Sequence, residues 1–485
     1  MSVIQLFSIA VLVGLLILHF LRRLWSRKRY PPGPFPLPVF GGIWRIAIRL
    51  YQDTLTKTGG DSEEPNISLC SKWQPTKESG KTEQPARHFL QVATFGKDVF
   101  SPVHIGKQQK QIGQATLLQL GRGKKSVEHQ IGEEAHRLAD IFAQAKGEPL
   151  DPLPPIISAV SSMVCATAFA RQYSIKDEHF RKLTEELERA LKSGGSFIYA
   201  LKRMFPLVMS CLRGPQKKAL SAREFVLSLI KKEIKKHKEH RQPHEPQDFI
   251  DFYLLKMAER KSDVTSTYNE ENLAECILDF FITGVETTAT TLQWALLLMA
   301  TYPDIQDKVY KEMEDVFGPS QSFSHQDWHK LPYTSAVIHE ILRAKYAFLF
   351  RIVRQWARDV NILGFLIPKG TFINPNLNSI LLDPKQWKAP EEFNPNHFLD
   401  TDAKFVARKE FLLFGAGDSV SLEEQLARAE FFAFFTTLLR AFRFQLPGEV
   451  TKHHQKARVG LTTYPHSYEL CAVPRGNSSQ TSKTQ

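Results

Sequence analysis

Residues Glu410 to Phe435 read EFLLFGAGDSVSLEEQLARAEFFAFF. An apolar run, Phe411 to Phe414, leads into a glycine turn, Gly415-Ala416-Gly417. Ser421 is followed three residues later by Glu424, the spacing of a capping box, in which the hydroxyl accepts from an early helix N–H and the carboxylate reaches back. Beyond it Leu422, Leu426, Phe431, Phe432, Phe435, Leu438, Leu439 and Phe442 recur at intervals of three and four, which predicts a helix with one buried face.

Two upstream stretches carry residue types suited to chemistry. The segment ENLAECILDFFITGVETTATTLQWALLLM, starting at Glu271, predicts a long helix within Tyr268 to Pro303. Gly284 and Glu286 interrupt its apolar face; glycine admits a ligand to the backbone, and the Thr287 hydroxyl can bond a bound species or its own helix. Downstream, Glu340-Ile341-Leu342-Arg343 places an acid and a base one helical turn apart. Exposed pairs of this kind contribute only about 0.3–0.5 kcal/mol, so the spacing alone marks a helix rather than a site. Pro395-Asn396-His397-Phe398 follows.

Taken in order, these motifs resemble the cytochrome P450 family. Its haem loop reads Phe-x-x-Gly-x-Arg-x-Cys-x-Gly; here Phe414 and Gly417 are kept, while Ser419 stands at the Arg, Ser421 at the Cys and Glu423 at the last Gly. Gly284-Val285-Glu286-Thr287 is similar to its oxygen-binding segment, where Thr287 would hold water beside bound oxygen and Glu286 would feed protons toward it. Glu340, Arg343 and His397 match its structural triad. Where the family has Trp-x-x-x-Arg to hold the haem propionates, this chain has Gly106 to Lys110, so Lys110 keeps the charge without the planar fork of arginine. Arg354 is a further propionate candidate by the same resemblance.

The resemblance implies a mainly α fold with small β-sheets, haem as cofactor, an NADPH-dependent flavoprotein reductase as electron donor, and oxidation of a lipophilic small molecule. The pattern of the C-terminal half is most similar to the microsomal, drug- and fatty-acid-oxidising branch. Serine opposes that activity. A thiolate on iron favours O–O cleavage, whereas a neutral hydroxyl is a hard, poor donor. Ser419 removes a cation and Glu423 adds bulk and negative charge. Two readings therefore stand: an impaired monooxygenase, or a haem-poor, non-catalytic relative acting as a binding or regulatory protein.

The 485 residues divide by composition into five segments. Residues 1–21 hold an uncharged apolar run of the length that spans a bilayer core, and the cluster Arg22, Arg23, Arg27, Lys28, Arg29 predicts a signal anchor with a cytosolic body. With the microsomal resemblance, this predicts a single-pass protein of the endoplasmic reticulum membrane. Residues 22–50 form a basic stop-transfer and a proline hinge, Pro31-Pro32-Gly33-Pro34. Residues 51–115 are a divergent segment whose polar run Thr56 to His88 reads as partly disordered. Residues 116–475 form the P450-like domain and 476–485 a polar tail. The five scattered cysteines argue against a disulfide framework. The net charge of +12 fits an anionic lipid surface or an acidic partner; no nucleic-acid module accompanies it.

Overall fold

The computed structural model describes residues 97–98, 108, 112–113, 115–116, 127–170, 177–192, 213–239, 246–318, 325–345, 354–355, 359–362, 365–367, 369, 372–373, 378–411, 413, 424–448, 457–459 and 463–475. Two compact units emerge. One comprises residues 1–97, 352–379 and 416–419, the other 98–351, 380–415 and 420–485.

The larger unit is helical. Its core is built by α1 (Val127–Gln144), α2 (Leu153–Phe169), a central helix and the helix of the opening stretch, Glu424–Ala441. α1 has an apolar stripe, with Ile131, Ala135, Leu138 and Phe142 buried at helical spacing. α2 is apolar all round, which is why it runs through the interior; Pro152, Pro154 and Pro155 open it, and Ala170 in the left-handed region closes it. α3 (Glu178–Lys192), α4 (Arg213–Glu239) and α5 (Phe249–Glu259) follow.

The long helix predicted within Tyr268 to Pro303 is two helices. α6 (Glu270–Phe280) and α7 (Glu286–Thr301) are joined by a π-helical turn, Phe281–Val285, that contains Gly284. One extra residue in the turn shifts the face of the helix, a device frequent at functional sites. α7 is buried nearly throughout, from Glu286 to Met299. Its Trp294 donates Nε1–H to the Thr463 carbonyl at 2.8 Å, and the Tyr468 hydroxyl donates to the Gln293 carbonyl at 2.6 Å.

α8 (Pro303–Phe317) and α9 (Pro332–Ala344) lead to the C-terminal half. α10 (Glu424–Ala441) packs against α1 and α7. Phe434 is as completely buried as Phe435, so its buried face is broader than the predicted stripe. Phe442 lies past the helix end, in the strand Phe442–Gln445, which pairs antiparallel with Cys471–Pro474. Ala457–Val459 and Thr463–Pro465 form another hairpin pair.

Within the smaller unit, Arg354–Gln355 pairs antiparallel with Phe372–Ile373, and Val360–Ile362 with Phe365–Ile367. The architecture is thus mainly α with small sheets of two or three short strands. Helical residues appear from Gln108, and Ile112 is buried in the main core. The Gln108 carboxamide accepts from the Thr267 amide at 3.0 Å and hydroxyl at 2.7 Å, which ties this part of the 51–115 segment to the chain entering α6. Among the described residues no helix is long and apolar enough to cross a membrane; the span expected at residues 1–21 lies outside them.

Candidate functional site

The best-defined constellation is built on α9. Its last turn carries Glu340 and Arg343, both fully buried. Arg343 Nε donates to Glu340 Oε2 and Nη2 to Oε1, each at 2.8 Å, a two-pronged pair. His397, on the 3-10 turn Pro395–Phe398, brings Nδ1 to 3.1 Å from Glu340 Oε2. The Asn394 amide donates to Glu340 Oε1 at 2.9 Å.

A buried ion pair needs further partners to offset its desolvation. Arg343 Nη1 donates to the Leu381 carbonyl at 2.9 Å and Nη2 to the Glu392 carbonyl at 3.2 Å. His397 Nε2 lies 2.6 Å from the Lys388 carbonyl. The Trp387 ring lies 5.3 Å below the Arg343 guanidinium and meets the His397 ring edge-on, while its own Nε1–H donates to the Ile380 carbonyl. The cluster thereby closes residues 380–398 onto α9.

One position before the triad acid, His339 faces the other way. Its Nδ1 lies 2.7 Å from the Ser335 carbonyl and its Nε2 3.3 Å from Arg428 Nη1. Phe398, Phe405 and Phe411 surround the ring at centroid distances of 5.5, 4.7 and 5.1 Å. Burial pushes the imidazole down to about 4, so it is neutral at physiological pH.

Around the π-helical turn, threonines bond back to their own helix. Thr283 donates to the Asp279 carbonyl, Thr287 to Thr283 and Thr291 to Thr287, at 2.6, 2.6 and 2.7 Å. Such bonds compete with the helix ladder where it widens. Glu286, at the first residue of α7, is 6 % exposed.

Glu340, Arg343 and His397 are therefore brought together, and Glu286 and Thr287 sit side by side at the π-helical turn. Phe414, Gly417, Ser419, Ser421 and Lys110 lie outside the described residues. Arg354 is placed only as a strand residue. Sequence reasoning passes over His339, Trp387 and Arg428, because no local spacing distinguishes them; adjacency to Glu340 is the one signal His339 offers.

Comparison with known proteins bears on this arrangement directly. The family model described as Cytochrome P450 matches residues 77–472. The chain belongs to the cytochrome P450 family. The chain is 35 % identical to cytochrome P450 2J5 of Mus musculus, over 96 % of this chain and 95 % of that protein. It is 35 % identical to cytochrome P450 2J2 of Homo sapiens, covering 95 % and 94 %, and 32 % identical to cytochrome P450 2D28 of Mesocricetus auratus, covering 97 % and 98 %.

The family is one of haem monooxygenases, in which the iron takes a cysteine thiolate as axial donor and the haem supplies oxygen activation. No cysteine lies between Glu410 and Phe435. Elsewhere, Cys165 is fully buried in α2, and burial, then Glu233 and Glu134, raise its thiol well above the ordinary range. Burial pushes Cys276 on α6 up to about 12. Both thiols are protonated at neutral pH, and the thiolate is the form that ligates.

Proposed function

We propose that this chain is a membrane-anchored cytochrome P450 whose monooxygenase chemistry is impaired at the axial position. The single observation carrying this reading is the donor set, with Ser421, Ser419 and Glu423 where the family pattern has Cys, Arg and Gly. Serine donates weakly to haem iron, the lost arginine removes one of the cations that would hold the propionates, and glutamate crowds the turn.

On this reading the rest of the scaffold keeps its family form. Residues 1–21 anchor the protein in the endoplasmic reticulum membrane, with 116–475 as the cytosolic domain. Glu286 and Thr287 occupy the proton-delivery segment, and Glu340, Arg343 and His397 brace the chain before the haem loop. Phe414 and Gly417 retain the loop's frame, while Lys110 and Arg354 offer charge to the propionates. Microsomal relatives work with an NADPH-dependent reductase on lipophilic substrates, and that pairing is carried over here as the origin of the fold. The second reading, a haem-poor binding or regulatory protein, is favoured by the same three substitutions.

The test is spectroscopic. Protein expressed with a haem precursor is reduced and exposed to carbon monoxide, and haem is quantified per chain. Absence of a strongly red-shifted Soret band supports the proposal, and its presence overturns it. Sub-stoichiometric haem favours the second reading; a full complement without the band favours the impaired enzyme. Restoring Cys, Arg and Gly at positions 421, 419 and 423 then locates the defect: recovery places it in the loop, and continued failure places it elsewhere in the chain.

A further inference from the structure

Residues 412–423, the stretch that carries the axial position, are flanked by two described elements. Upstream is the turn-rich chain ending at Phe411; downstream is α10, whose second turn carries Arg428. His339 of α9 touches both. Its ring lies against Phe405 and Phe411, at 4.7 and 5.1 Å, and its Nε2 lies 3.3 Å from Arg428 Nη1.

The roles of the two ring nitrogens follow from their neighbours. The Ser335 carbonyl only accepts, so Nδ1 carries the proton and donates to it at 2.7 Å. In the neutral ring Nε2 then has a lone pair, and Arg428, which only donates, is its complement. Burial holds the ring neutral, which keeps that acceptor available. The Nδ1 bond also fixes the ring's rotation, so the same imidazole face is offered to the phenylalanines.

We propose that His339 is the clamp that holds both ends of the 412–423 stretch, one through ring packing and the other through the Nε2 bond to Arg428. Glu340 next to it secures a different segment, the Pro395–Phe398 turn. α9 thus separates two tasks between adjacent residues: the carboxylate orders the chain at 380–398, and the imidazole sets the frame that the axial loop must bridge. The clamp is a property of the chain on either side of that loop. It holds whether or not haem binds, so its failure leaves the donor-set reading untouched, and the reverse.

Hydrogen exchange on the full anchored chain in detergent, read by mass spectrometry, tests this in three segments: 403–411, 424–430 and 394–399. His339→Phe keeps the ring packing and removes the acceptor. Exchange should rise about tenfold at 424–430, equivalent to about 1.4 kcal/mol, with 403–411 and 394–399 unchanged. His339→Gln returns an oxygen near the position of Nε2 and should restore 424–430 while loosening 403–411. Arg428→Met repeats the first result from the other partner and serves if His339→Phe does not fold. The clamp is overturned if 424–430 is unchanged in both His339→Phe and Arg428→Met, or if all three segments accelerate together, which is general loss of stability.

Discussion

Glu340 and Arg343 meet edge to edge, Nε and Nη2 each 2.8 Å from a carboxylate oxygen, with neither side chain exposed to water. The pair is one helical turn apart, yet its surroundings come from residues 380–397. Its energetics are those of a buried charge cluster, in which breaking one partner costs more than forming the pair contributes.

Glu340→Gln should therefore destabilise strongly. It leaves the Arg343 guanidinium buried against carbonyls and a neutral amide, at a cost of about 3–5 kcal/mol. Denaturant titration followed by far-ultraviolet circular dichroism checks this; a loss under 1 kcal/mol would show that the cluster is hydrated in solution.

His237 and Asp248 link the end of α4 to the start of α5, Nε2 to Oδ2 at 2.8 Å. The hydrogen bond to Asp248 is the main cause that raises the imidazole from 6.5 to about 9. A raised folded value stabilises fully below the unfolded value, near 6.5, and that stability is lost as pH rises through about 9. Burial raises Asp248 at the same time and opposes the pairing, so the net contribution is on the order of 1 kcal/mol. His237→Gln should flatten the stability profile between pH 6.5 and 9, and melting curves across that window measure it.

The thiols of Cys165, fully buried, and Cys276, partly buried, are both raised by burial and held protonated. Iodoacetamide at pH 8 should label both slowly in the folded protein and rapidly in urea. Peptide mapping reads each site separately. Fast native labelling of Cys276 would show that α6 opens readily.

Phe434 and Phe435 lie on α10 with no exposed surface, and the ring of Phe435 stacks on Phe431 at 5.8 Å. Phe435→Ala should cost about 3–5 kcal/mol. Phe435→Leu, which fills most of the space, should cost distinctly less. The comparison is made on urea midpoints of the same preparation.

Much of the helical skeleton was legible locally. The stripe of α1 and the paired phenylalanines of α10 are spaced at three and four, and burying one face of a helix needs no information beyond that period. α2 was not legible this way, because a helix apolar on every side has no stripe to find. The break between α6 and α7 was half visible: Gly284 and the threonines mark a weak point, but apolar residues on both sides make the run read as one helix.

Sequence by itself determined the family, through motifs that occur in the family's order. It left open whether Glu-x-x-Arg was a surface pair or a buried one, since both have the same spacing. Only the tertiary structure decided that, by bringing Leu381, Glu392 and His397 around Arg343 and Glu340. The same holds for His339, whose task is set by Phe405, Phe411 and Arg428, all more than sixty residues away along the chain. Burial and partner choice are properties of chain segments that meet only on folding, so no window along the sequence contains them.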